Sequence, residues 1–527
     1  MPPLKTFWPR YVTTVLCVLG LLLTTPVIAQ QNELQGNSKS ESDSKKPASH
    51  ERWITQQDEN GNIQVRHLTL HSAAEPRPAL RYQLIPDAFH AKPGNSAIYY
   101  LKAMGFLEQH NAQEKLTQIF RQAHQKASEA GIQQNLLEPY VWEDMPPDQL
   151  PLEEVKEYLS LTSFQAELLK EAAARRDFDL ERNLQDVDSV IGYLLPEIQG
   201  MRQLARTNSI RSRVAIAEER YDDAMETIGQ QFALGRHLGQ DDFFVSNLVG
   251  VAIASIGWSD LLSLQEQTNA PSLYWALASL PAPLVDTGRA EAVERKILYE
   301  EFITFKRVTE APQPAGYWQA WVKDLADERF EWMLEISDPG PELRRTALVA
   351  AIATSYPSAK KYLIEELGFD PKQVEAYPTA QVVSLATVKF YDFWRDEFYK
   401  WHCLPYWQVT ESSDANSVER RFRDACKNAG WFSKPTEQLL PALFAFRSAQ
   451  VRAQQQIAMA QTVEAIRLHL HQHDGNFPES LADLSFPAPL DPANNQPFQY
   501  ERAGETFVLE GQSLSNRRTR LVLHNAP

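Results

Sequence analysis

The chain has 527 residues, 43% apolar and 10% aromatic, enough for one large core or two domains. Its formal net charge of −16 excludes a general electrostatic attraction for nucleic acid or for an anionic lipid surface. The acidic excess is that of a well-solvated surface.

The first segment reads as an export signal. Lys5 and Arg10 precede the apolar run "YVTTVLCVLGLLLTTP", and "VIA" before Gln30 supplies small residues for cleavage after Ala29. The run falls short of the roughly 20 residues of a membrane anchor, and retention as an uncleaved anchor is the alternative. Residues 1–29 are therefore expected to leave, taking Cys17 with them. The mature chain is expected to be exported, periplasmic or extracellular, without a membrane span. Residues 30–50, "QNELQGNSKSESDSKKPASH" at their core, are polar and read as a disordered linker.

Residues 51–95 read as a short β and extended segment. "RWITQQDENGNIQVRHLTLHS" holds two alternating runs around Asn60-Gly61, a hairpin signal. The proline-rich "AAEPRPALRYQLIPDAFHAKPGN" that follows cannot be a helix interior.

Residues 96–445 carry helical periodicity and are expected to form an irregular multi-helix body. In "RSRVAIAEERYDDAMETIGQQFALGRHLG", Val214, Ala217, Tyr221, Met225, Ile228 and Phe232 recur on one helical face, and Gly239 marks a stop. "EERYDDAM" resembles the turn and second-helix start of a tetratricopeptide-like hairpin, present once and not as an array. "VSNLVGVAIASIGWSDLLSL" is apolar nearly all round and predicts a buried helix. Pro281 and Pro283 break the pattern. It resumes in "AEAVERKILYEEFITF" and "AYPTAQVVSLATVKFYDFWRDEFYKW".

Residues 446–527 predict a small α+β tail. A long helix starts near Ala442 and keeps Phe446, Ala449, Ala453, Ile457, Ala460, Val463, Ile466 and Leu470 on one face. "QYERAGETFVLEG" then reads as a hairpin turning at Ala503-Gly504, with "RRTRLVLHN" as a third strand of an antiparallel sheet. The fold class expected is thus mostly α.

Two resemblances follow from these stretches. "LRYQLIPDAFHAKPGNSAIYYLKA", "RQLARTNSIRSRVAIAEERYDDAM", "SNLVGVAIA" and "APSLYWALASLPAPLVD", spanning roughly Pro78 to Asp286, resemble a family of exported planctomycete proteins. That resemblance implies export and a helical body and carries no activity. "AIRLHLHQHDGNFPESLADLSFPAPLDPANNQPFQY" resembles the globular part of type II secretion pseudopilins, in Asp474, Gly475, Phe477, Pro478, Leu481, Leu484, Asp491, Pro492, Pro497, Phe498 and Tyr500. It implies a helix ended by Gly475 and Pro478, with Phe477, Leu481 and Leu484 packed back on it. The pseudopilin anchor helix is absent beside this tail and no carboxylate follows Glu510 in "GQSLSNRRTR". Only the fold carries over, not filament assembly or calcium.

Chemistry is harder to find. "RLHLHQHDGNFP" offers His469, His471 and His473. At about 100° per residue only His469 and His473 share a side of a helix, making them the candidate metal pair. The H-E-x-x-H form is not met, because Leu470 follows His469. Histidines in a last helical turn also sit well against the negative helix end. Cys403 and Cys426 either form a disulfide worth about 3 kcal/mol or stand as separate buried thiols. His402 beside Cys403 reads as structural. No phosphate loop or nucleophile elbow occurs. Carboxylates such as those of "DFDLERNLQDVD" read as solvated helix faces. "SLYWAL", "GYWQAW" and "FYDFWRDEFYKW" read as core aromatics, with a groove as the alternative.

No catalytic residue and no cofactor is therefore assigned. The expected function is that of an exported, non-catalytic interaction or structural protein with a protein or cell-envelope partner. A carboxylate-based exported hydrolase on a helical scaffold and a secretion-system accessory are the alternatives.

Overall fold

In the computed structural model the described residues are 53–58, 61–109, 121, 125, 139–187, 189–191, 193, 195–328, 340–440 and 443–526. The expected signal and linker lie outside them. The chain is mostly α, as its periodicity predicts, and divides into two compact units. Among the described residues, the larger comprises 53–181, 195–290 and 448–526; the smaller comprises 291–447 with the described part of 182–194.

The larger unit begins with strands β1 (Ile54–Asp58) and β2 (Gly61–Leu70), paired antiparallel with Asp58 opposite Gly61, the hairpin expected there. Strand β3 (Lys92–Asn95) leads into α1 (Ala97–Gln109), then α2 (Leu152–Leu161), α3 (Ser163–Ala173) and β4 (Arg175–Asp177), which pairs with β3 in parallel. The acidic stretch "DFDLERNLQDVD" begins in β4 and, where described, continues as irregular chain. It is not the helix face expected of it.

Helices α4 (Pro196–Ala217), α5 (Tyr221–Leu238) and α6 (Phe244–Gln265) form the core of this unit. The periodic run from Val214 to Phe232 covers two helices, because the chain turns at Glu218–Arg220 with Glu219 at φ 57°. The tetratricopeptide-like turn lies at that break. Its period survives because both helices of the hairpin bury a face against the same core. Gly239 follows α5 with φ −62°, an ordinary helical value. A Cβ there would lie 2.8 Å from the Asp286 carbonyl, so close approach rather than a left-handed turn selects glycine. Helix α6 is long and apolar enough to cross a membrane, and is mostly buried among its neighbours.

In the smaller unit, the segment expected as one helix from Ala290 splits into helical turns at Gly288–Glu294 and Ile297–Glu301 and a 3-10 turn at Ile303–Arg307; the first residues of the run belong to the larger unit. Helices α7 (Ala315–Asp327), α8 (Pro341–Lys361), α9 (Thr379–Tyr399) and α10 (Ser413–Ala429) follow. Phe390, Tyr391, Trp394, Phe398 and Tyr399 of α9 are buried, so "FYDFWRDEFYKW" is core, with Phe393 half exposed.

Helix α11 (Leu443–Gln472) leads into the tail strands β5 (Gln499–Ala503), β6 (Thr506–Glu510) and β7 (Arg517–Asn525). These three are antiparallel, and β5 turns into β6 past Ala503. Strand β7 also pairs in parallel with β2, which the separate runs did not reveal. The result is one five-stranded sheet in the order β1-β2-β7-β6-β5. Gly475, at φ +83°, ends α11 by donating its N–H to the Leu470 carbonyl at 2.8 Å. Leu484 packs back on Ala465 and Leu468 of α11, whereas Phe477 stacks on Phe507 of β6 at 4.9 Å.

Candidate functional site

Three features concentrate polar chemistry or concave surface. The first is sealed inside the larger unit. Asp260 of α6, fully buried, is held 3.0 Å from Arg213 of α4. It accepts further bonds from Ser209 of α4 at 2.9 Å and Gln231 of α5 at 3.0 Å. One carboxylate thereby ties three helices. Arg66 of β2, 1% exposed, donates to the Ser259 carbonyl, Ser263 and Glu266, fixing the sheet to α6. Arg467 of α11, buried with Glu464 at 2.9 Å, donates to the carbonyls of Ala270 and His71. Burying such ions is tolerable because each charge is paired and hydrogen-bonded. None of these arginines stands out in the sequence, since an arginine in an amphipathic helix or an alternating strand reads as solvated.

Beside this network, burial pushes the Glu143 carboxyl up to about 7, with Arg206 3.5 Å away opposing the shift. Burial pulls His237 down to about 4. Its Nε2–H donates to the Arg175 carbonyl while Nδ1 accepts from the Tyr100 hydroxyl, both at 2.9 Å, the neutral tautomer. Glu143 and His237 line neither concavity described next.

The second feature holds the candidate metal pair. His469 and His473 lie in the last turns of α11 with their rings stacked, centroids 3.8 Å apart. They line an open groove of about 570 Å³ with Asp474, Glu479 and Asp483. His473 Nδ1 donates to the His469 carbonyl at 2.9 Å, and His469 Nδ1 is buried without a partner. Burial and the neighbouring His473 lower the His469 pKa, against a smaller opposing effect of Asp483. Stacked rings hold their lone pairs in parallel planes, so the two nitrogens do not aim at one point. Among the described residues no three His, Cys, Asp or Glu side chains gather as a metal cluster would require. The acidic residue Asp483 is engaged in a capping box with Ser480. Asp491 of the pseudopilin-like motif is likewise structural, accepting from Gln455 and from the N–H groups of Ala493 and Gln512.

Cys403 and Cys426 are both free thiols. Cys403 is exposed in the 3-10 turn after α9, whereas the Cys426 thiol on α10 faces Ser433 and Glu437. Burial and that carboxylate push the thiol up to about 12. His402 turns from Cys403 to Glu291, with Nδ1 3.2 Å from a carboxylate oxygen.

The third feature is a groove of about 390 Å³ in the smaller unit, lined by α7, α8 and the start of α9. Its walls are apolar, with Trp318, Val322, Val349 and Pro378, and Lys323 and Arg345 join them. Trp318 is 2% exposed, yet its indole N–H has no acceptor, and neither does the buried Nε–H of Arg345. Val349 and the neighbouring Leu343 of α8 are each more than half exposed. "GYWQAW" hinted at this site through Trp318; the partner residues 27 and 31 positions later gave no periodic or motif signal. No protein-family model, curated protein or solved structure gives a significant match to the chain.

Proposed function

We propose that this is an exported, non-catalytic interaction protein whose smaller helical unit carries the binding surface. The observation that carries the reading is the apolar groove of α7, α8 and α9, bordered by the exposed Leu343 and Val349. Exposed apolar residues beside a formed concavity mark a contact surface. The perturbed and paired charges support the same reading. Asp260, Arg213, Glu464 and Arg467 are almost wholly buried and hold helices together. The signal-like residues 1–29 and the likeness to exported planctomycete proteins support export. A secretion-filament role is disfavoured, since Met459, Ala460, Val463, Ile466 and Leu470 bury much of α11 within its own unit.

A photocrosslinking amino acid at Val349 tests this in the producing cell, with Lys427 of α10 as a control position. A discrete adduct formed only from Val349 is the expected result. Equal labelling from both positions would overturn it. So would hydrolysis of glycoside or peptide substrates by the purified chain that is abolished in E143Q.

A further inference from the structure

The groove of the smaller unit carries more than apolar surface. It pairs apolar walls with two cations, Lys323 and Arg345, contributed by two helices of one unit. We infer that it binds a small single-chain amphiphile bearing a carboxylate, the chain lying against Trp318, Val322, Val349 and Pro378 and the carboxylate meeting Arg345 and Lys323. This rests on the binding role proposed above and names its ligand.

Charge is the first argument. The chain is strongly acidic, and many described lysines and arginines pair with a carboxylate. Lys323 and Arg345 have no ion pair among the described residues, although both line the same concavity. The chemistry of the head group is the second. Beside two cations an anionic oxygen is favoured over a neutral one, and the planar fork of Arg345 suits a carboxylate. Size is the third. About 390 Å³ lies near the lower end of the range of ligand sites, and admits one alkyl chain and not the two of a membrane lipid.

The test is isothermal titration of the full mature chain with decanoate, decanol and decyltrimethylammonium. Decanoate is expected to bind at one site, at least tenfold tighter than decanol, with no binding of the cation. R345Q is expected to weaken decanoate at least tenfold with an unchanged melting temperature, while R345K recovers only part of the loss, because it restores charge without the fork. K323Q is expected to give a smaller loss, since Lys323 is exposed. Equal affinity for decanoate and decanol, no binding of decanoate, or an unchanged affinity in R345Q at an intact melting temperature would each overturn the assignment. The two proposals fail separately. A protein adduct at Val349 without decanoate binding removes the amphiphile and leaves the interaction role. Chemical conversion of a bound carboxylate removes the non-catalytic reading instead.

Discussion

Glu143 and His237 set opposite pH dependences on the stability of the same unit. His237 has a folded pKa of about 4, below its unfolded value, so the unfolded chain takes up the proton first. Its contribution is intact above pH 6.5 and is lost as pH falls toward 4, by about 3 kcal/mol. Glu143 is raised to about 7, so the unfolded chain ionises first. Its contribution is intact below pH 4.5 and is lost as pH rises through 7, by a similar amount of about 3 kcal/mol. Across pH 4.5 to 6.5 the two slopes oppose each other. In E143Q the stability relative to the native sequence is expected to climb as pH rises from 4.5 to 7. In H237Q it is expected to climb as pH falls from 6.5 to 4. Urea unfolding at a series of pH values reads both, and a parallel offset with no pH trend would refute either assignment.

At the scale of elements, α5 and α6 meet glycine on glycine. A Cβ on Gly250 of α6 would stand 2.7 Å from the Gly235 carbonyl of α5, and a Cβ on Gly235 would stand 2.8 Å from the Gly250 carbonyl. Neither backbone atom can step aside, so the helices would have to separate. G250A is expected to lower stability by about 2 kcal/mol or more, seen as a lower urea midpoint at unchanged slope. A neutral G250A would mean that the helices slide freely. Local signals made the helices, the two hairpins and the stop at Gly475 legible, because periodicity, turn glycines and prolines act within a few residues. The split after Glu294 was not legible, since "AEAVERKILYEEFITF" keeps an apolar face through three short turns. Nor was the role of Asp260, whose partners Ser209, Arg213 and Gln231 lie on two other helices and are common solvated types. Of the groove, only Trp318 could be suspected, because helices joined across long stretches of sequence bring Arg345 and Pro378 beside it.

The described residues have a nested plan: residues 291–447 interrupt a unit whose sheet is completed by β7. Strand β7 is central, with β2 on one side and β6 on the other. Removing Arg517–Pro527 would leave two hairpins with bare edges and uncover Leu68, Leu70 and Leu509, all now fully buried. A two-stranded ribbon is marginal alone, so the larger unit is expected to lose its cooperative transition. Limited proteolysis would show this as rapid cleavage at Arg211 and Arg213, which are protected in the intact chain. Continued protection in the truncated chain would show that the helices stand without the sheet.

The parallel pairing of β2 with β7 has a further consequence in time. His67 touches His524 across 457 positions of sequence. At synthesis rates of roughly 5–20 residues per second, β2 waits roughly 20–90 seconds for its central neighbour to exist. Through that interval its apolar residues need a chaperone or a provisional cover. A chain that ends early, by nonsense mutation or broken message, never receives the strand at all. Strand β7 thus acts as a checkpoint of synthesis: only a polypeptide made past Arg517–Asn525 can bury β2.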